Sequence, residues 1–328
     1  MNAAALADYS LVATYSAIAV YVLAFIAYVL GLSARAALRP VVADRALVGA
    51  AVGGGADVAD RSPYARAEPA EPERPVGIRW ERTGLALTVV AWLVHVGALV
   101  LRGLAAGRVP WANMYEFALT GTALMVLVYL GVQFWRDVRF LGSYLTGLVA
   151  LLLALATVNF YVPVTPLPPA LQSVWLVIHV FVATLGTGFF AVGGGLSILQ
   201  LLQESRERGG RVAHVRWLGF LRTIPGSDVL ERVASRVIIV GFAFWTFTLI
   251  AGAIWAERAW GRYWGWDTKE VWTFIVWVVF AGYINARATA GWRGKRSAVL
   301  ALIGFGAVLF NFTVVNLFFQ GLHSYSGL

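Results

Sequence analysis

Eight stretches of the chain are long and apolar enough to cross a lipid bilayer, near residues 11–32, 83–103, 114–134, 140–159, 174–202, 236–256, 271–289 and 298–319. A run of about 18 or more apolar residues has few places to go other than a membrane-spanning helix. The remaining composition agrees. Of the 328 residues, 59% are hydrophobic and only 13% are charged, against roughly 45–50% and about 25% in a soluble domain. A soluble enzyme and a disordered chain are both excluded. The expected fold is an all-α polytopic membrane protein with about eight transmembrane helices. The first stretch is read as a permanent helix, because residues 1–10 carry no basic residue of the kind a signal peptide needs.

Charge sets the orientation. With both termini outside, 21 of the 26 Lys and Arg residues fall in inside loops and 5 (Arg102, Arg108, Arg258, Arg262 and Lys269) fall outside. That asymmetry is the positive-inside pattern. It accounts for the net charge of +9 without a nucleic-acid partner. The reading divides the chain into an N-terminal transmembrane helix (1–32), a flexible cytoplasmic loop (33–82) and a membrane domain (83–328). The loop holds Pro40, Pro63, Pro69, Pro72, Pro75 and the run Gly53–Gly55, and has little apolar material for a core. There is no cysteine, so disulfides, thiolate metal sites and cysteine nucleophiles are excluded.

Two residue types stand out against this background. The four histidines are His95, His179, His214 and His323. His214 lies among loop arginines and reads as surface. His95 lies deep in the second span, where a packed histidine and a cofactor ligand are both open readings. His179 and His323 fall near the outer level of the membrane on different helices and could meet across one ligand. The second signal is tryptophan: Trp255, Trp260, Trp264, Trp266 and Trp272, five of the 14, fall within 18 residues. An interfacial aromatic belt would spread them over many helix ends. A concentration of flat rings in one outer loop, with Gly261 and Gly265 between them, suits a planar aromatic ligand. Arg262 and Lys269 supply cations for anionic substituents. Haem meets these conditions, having a flat macrocycle, two propionates and an iron that accepts two imidazoles.

The segment Trp260-Gly261-x-x-Trp264-Gly265-Trp266-Asp267-x-Lys269-Glu270 resembles the tryptophan-rich "WWD" signature of the haem-handling proteins of cytochrome c maturation. The order of Pro110-x-x-Asn113-x-Tyr115-Glu116, Leu171-Gln172-Ser173-x-Trp175-x-x-x-His179 and Gly321-Leu322-His323-Ser324-Tyr325 resembles one branch of them. That branch is the CcsA (ResC, called CcsB in some bacteria) family of the System II cytochrome c synthase. The likeness runs from about residue 83 to the end.

The resemblance implies that haem b is presented at the outer face of a bacterial cytoplasmic membrane. His179 and His323 would be the axial iron ligands, with Trp260, Trp264, Trp266, Asp267, Arg262 and Lys269 around the macrocycle and His95 a further cofactor-binding candidate. The vinyl groups would be joined to the thiols of an apocytochrome c Cys-x-x-Cys-His motif. The implied partners are a CcsB/ResB-type membrane subunit, apocytochrome c, haem and the lipid bilayer. Relatives carry a further histidine after the WWD loop; Asn285 stands at that position here. Glu116, Asp267 and Glu270 read as helix caps as readily as functional acids, and Gly193–Gly195 as a site of close helix packing. A CcmC-type haem exporter is the nearest rival, disfavoured by the eight spans and the Gly-Leu-His-Ser-Tyr tail. A cytochrome b-like carrier would need paired histidines inside the bilayer, where only His95 lies. An unrelated transporter would need a broken, charged span.

Overall fold

A computed structural model of the chain describes residues 2–52, 76–165, 167, 172–319 and 321–323, the side chains of 36–52, 76, 216 and 217 excepted. Segment 53–75, Leu171, Ser324 and Tyr325 lie outside the described residues. The described residues contain no strand. Their main elements are α1 (Ala3–Val52), α2 (Val76–Ala106), α3 (Met114–Trp135), α4 (Gly142–Phe160), α5 (Val174–Glu207), α6 (Ser227–Trp260), α7 (Thr268–Ala288), α8 (Lys295–Phe312) and the short α9 (Val314–Phe318). Among them are eight helices long and apolar enough to cross a membrane, α8 and α9 together forming the last. A helix meets all its internal backbone hydrogen bonds within one segment, which hydrocarbon demands. The chain is a multi-pass membrane protein.

The helices overrun the apolar windows. α1 continues to Val52, α2 starts at Val76 and α6 at Ser227, so the 33–82 segment is helical at both ends. Hydropathy marks where lipid stops, whereas Ala, Leu and Arg sustain a helix beyond that point. The last span differs in the other direction, because it breaks at Thr313 between α8 and α9.

Consecutive spans alternate in direction, giving a tryptophan-rich end (residues 3, 106, 114, 260 and 268) and an arginine-rich end. α5 runs through the middle of the bundle, against α3, α6 and α8. Its triple glycine makes this possible: a Cβ on Gly193, Gly194 or Gly195 would lie 2.5–2.7 Å from Ile238, Phe305 or Tyr144. Phe190 of α5 stacks on Phe280 of α7 with centroids 3.8 Å apart. α1 packs along α2, and its Tyr28 hydroxyl is bonded to that of Tyr129 on α3 at 3.1 Å. At the arginine-rich end, Glu231 pairs with Arg287 and accepts from the Gly294 N–H at 2.9 Å, tying α6 to the α7–α8 turn. His214 and Asn285 are exposed at this end.

Candidate functional site

His179 and His323 come together at the tryptophan-rich end, on one aromatic partition. Trp255 of α6 is buried; it stacks on His179 of α5 (centroids 5.8 Å, interplanar angle 17°) and meets His323 edge-on at 5.5 Å. Trp260 also meets His323 edge-on, at 4.9 Å. Each imidazole is oriented through Nδ1. That of His179 lies 3.0 Å from the Thr248 carbonyl oxygen, which can only accept, so Nδ1 carries the hydrogen and Nε2 the lone pair. The ring reaches this position because residue 252 is glycine: a Cβ there would sit 2.7 Å from His179 Cε1. His323 Nδ1 lies 2.5 Å from Asp267 Oδ2. The same bond holds the Asp267 carboxyl below the usual carboxylate range. Asp267 is therefore ionised at neutral pH, and Nδ1 of His323 is again the donor. Gly321 is needed for the approach, since a Cβ there would fall 2.1 Å from Asp267 Oδ1. Two imidazoles thus present Nε2 lone pairs at one end of the bundle, each fixed from behind, which is how histidine ligands are usually set.

The turn between α6 and α7 explains the placement of the other residues. Gly261 closes α6 in the left-handed region (φ 70). Glu270, in the first turn of α7, accepts through Oε2 from the N–H of Gly265 (2.8 Å) and of Asp267 (3.1 Å). Those bonds grip the backbone on both sides of Trp266, which is held at φ 59, a conformation unfavourable for a bulky side chain. The ring of Trp266 is turned outward, 78% exposed and edge-on to Trp264. The Arg262 guanidinium lies directly over Gly265, where a Cβ would overlap it. Asp267 is the N-cap of α7, as its place at the helix start suggested, and it also anchors His323, which the sequence did not announce.

A cleft opens between these elements. Its larger lobe, about 830 Å³ to the open mouth, includes His179, Tyr263, Trp264, Lys269 and His323 in its wall. A second lobe of about 630 Å³ shares His179, Lys269 and His323 with the first. Trp260 backs His323, while Trp266 and Arg262 stand outside the lining of either lobe. Trp266 was expected to line the same pocket as Trp264; the forced turn at φ 59 directs it away instead. Lys269 faces the cleft and donates to the Asn311 carbonyl and to Asn316 Oδ1, both at 2.7 Å. The break at Thr313 brings these two acceptors to one cation.

His95 does not belong to this site. It is fully buried, its Nε2 donates to the Leu119 carbonyl at 2.9 Å and its Nδ1 faces the Tyr21 hydroxyl at 3.3 Å. With both nitrogens engaged by neighbouring helices, His95 takes the packed-core reading of the two that the sequence left open. Arg102 is corrected. It is not a loop residue but a buried side chain of α2, paired with Glu116 at 3.0 Å and bonded to the Val162 carbonyl at 2.8 Å. Arg108 pairs with the same carboxylate at 2.7 Å. The cap of α3 is Asn113, which accepts from the Glu116 N–H at 2.9 Å. Glu116 is thus the acidic hub of the loops at the tryptophan-rich end rather than a simple cap.

Sequence reasoning did not single out Trp255 as the partition, Thr248 as the orienting carbonyl or Trp111 as part of the cleft wall. Trp111 sits inside the Pro110–Glu116 motif and could have been found there; a backbone carbonyl such as that of Thr248 leaves no trace in sequence.

Comparison with known proteins gives one consistent result. The family model described as "Cytochrome C assembly protein" matches residues 111–323. A cytochrome c biogenesis protein CcsA of Trieres chinensis is 34% identical over 275 residues, covering 75% of this chain and 87% of its own. One of Synechococcus sp. (strain JA-3-3Ab) is 34% identical over 292 residues, covering 74% and 85%. Among solved structures, a cytochrome c haem lyase CcmF matches with a TM-score of 0.60 at 14% identity. The match covers 95% of this chain but only 47% of that one, and it bears on the fold alone.

Proposed function

The chain belongs to the cytochrome c assembly protein family, whose role is cytochrome c maturation, and from that premise we propose that it presents haem for attachment to apocytochrome c, as the CcsA-type subunit of a System II synthase. The observation that carries this reading is the pair of Nε2 lone pairs on His179 and His323, two rings that both contact Trp255 and both stand in the wall of one cleft. The donor set fits haem b. Among the described residues no group of three His, Cys, Asp or Glu side chains could hold a bare metal ion. Two neutral imidazoles are what an iron already held by four macrocycle nitrogens can still accept. The wall is aromatic and apolar, with a cation at its centre for the carboxylates. When bound, haem supplies the vinyl groups that become thioethers.

The chain's own residues bind and orient. Thr248 and Asp267 fix the two rings, Trp255 and Trp260 pack behind them, Trp264 walls the larger lobe, and Lys269 neutralises negative charge. Arg262 and Trp266 rim the site from outside the lining. The charge asymmetry of the loops supports the tryptophan-rich end as the outer face of a bacterial cytoplasmic membrane. Cysteine-free, the chain leaves the thiols to the apocytochrome, and a CcsB/ResB-type membrane subunit completes the complex.

The test is absorption and pyridine-haemochrome analysis of the purified protein beside its His179→Ala and His323→Ala forms. Both variants are expected to lose haem and cytochrome c assembly, with partial rescue by added imidazole, while His214→Ala retains both. Full haem and normal holocytochrome in either of the first two would end the ligand assignment.

A further inference from the structure

The two lobes of the cleft meet at His179, Lys269 and His323 and then diverge in character. The larger runs out to Tyr263 and Trp264, and Tyr263 is 64% exposed. The smaller is lined by Trp111, Asn113 and Asn316. The Trp111 ring packs against the buried cluster of Leu176, Val180 and Trp255, which fixes its direction. Its Nε1 is buried and has no hydrogen-bond partner. An indole N–H can only donate, and a buried donor left unmade is costly. In the wall of a cleft, such a donor marks the place of a missing acceptor. Lys269 lines the same lobe. Its two bonds go to neutral amide oxygens, and an ammonium has a third N–H to donate. A half-buried ammonium with a donor-only indole beside it in one small lobe calls for an anionic acceptor.

We propose that this lobe is the carboxylate subsite of the cleft, in which Trp111 Nε1 and Lys269 Nζ donate to the propionates of bound haem. The inference rests on the haem-presenting reading above and deepens it, because it gives the site a direction. Propionates and vinyls occupy opposite edges of haem, so anchoring the first in the lobe of Trp111 turns the second toward the lobe of Tyr263 and Trp264, whose exposed rim a client's thiols can reach. Trp111 is then a positioning residue for thioether formation, although it lies outside the tryptophan-rich loop. Arg262, spent over Gly265, has no part in the subsite.

The experiment titrates the purified full-length protein with ferric haem and with haem dimethyl ester, in which both carboxylates are blocked, following the Soret band. The wild type is expected to prefer the free acid. Trp111→Phe keeps the ring and removes the N–H; it should weaken haem binding about tenfold, the scale of a hydrogen bond to a charged group, and leave ester binding and the bis-imidazole spectrum unchanged. Lys269→Met should erase more of the preference. Equal affinities of the wild type for acid and ester would overturn the subsite whether or not the variants fold, as would an unaltered preference in Trp111→Phe. Those results leave the haem reading standing. That reading falls separately, if neither ligand gives an imidazole-type spectrum that depends on His179 and His323.

Discussion

In the α1–α2–α3 layer, His95 commits both ring nitrogens to its own protein, one to the Leu119 carbonyl and one to the Tyr21 hydroxyl. Across the bundle, His179 and His323 commit only Nδ1, to Thr248 and Asp267. The acids divide in the same way. The Glu116 carboxylate is closed by Arg102, Arg108 and the backbone N–H of Ala112, while its own backbone N–H donates to Asn113 Oδ1. Asp267 instead turns its charge onto a ligand-bearing ring. Burial follows the same division without explaining it, since His95 and Glu116 are fully buried and His179, His323 and Asp267 only partly so. The difference lies in unused valence: a closed network holds the fold, while an oriented group with a spare lone pair or donor is prepared for something not yet bound.

The largest expected effect breaks the closed side. Glu116→Ala removes the one carboxylate facing Arg102 and Arg108 and leaves a buried, unpaired guanidinium. Breaking a buried ion pair from one side costs about 3–5 kcal/mol. The loop held to Arg102 and Arg108 through the Val162 and Thr165 carbonyls should loosen with it. A denaturant titration of the detergent-solubilised protein should show a clear loss of stability. If stability is unchanged, the network is not the closed structural unit described.

A smaller effect sharpens the open side. Asp267→Asn keeps the shape but removes the charge behind His323; second-shell changes of this kind lower metal affinity about 10–100-fold. Haem retention should fall while unfolding behaviour barely moves, the reverse of Glu116→Ala. The pH dependence follows from the same bond. The carboxyl is held below its ordinary value of about 3.9, so its stabilising contribution is complete above that value. It is lost only as pH falls through the lowered folded-state value. Wild-type haem retention should therefore stay flat from neutral pH down to about 5 as far as Asp267 is concerned, and an Asp267-dependent loss within that range would contradict the pairing.

Much of this contrast was legible in the sequence, and the part that was not has a physical cause. The spans follow from hydropathy because lipid selects apolar helices, and the pairing of His179 with His323 follows from their common level and the motifs around them. A count of loop charges could not reveal that Arg102 is drawn inward, because the attraction comes from Glu116, fourteen residues away and on another helix. Neither could the residue name histidine reveal which nitrogens are occupied, since the partners are backbone carbonyls and a tyrosine 74 residues off. The break at Thr313 carries no Pro or Gly to announce it; Asn311 and Asn316, bonded to Lys269 on either side of it, are visible as its cause only in three dimensions.

The smallest effect tests the assignment of His95 itself. Tyr21→Phe removes one hydroxyl and leaves His95 Nδ1 facing hydrocarbon, while the bond from Nε2 to Leu119 is kept. A side-chain hydrogen bond between helices within a membrane contributes about 0.6 kcal/mol on average. The 3.3 Å separation is long for such a bond, which argues for a value no larger. The T-shaped contact of the two rings, centroids 5.9 Å apart, survives the substitution and limits the loss further. Stability should therefore fall only slightly, and haem content and cytochrome c assembly should remain at wild-type levels. His95→Phe should cost more, because it leaves both Tyr21 and the Leu119 carbonyl without their partner, but it too should spare haem. A sharp fall in haem content in His95→Phe, with stability intact, would move His95 from the closed side of the comparison to the open one.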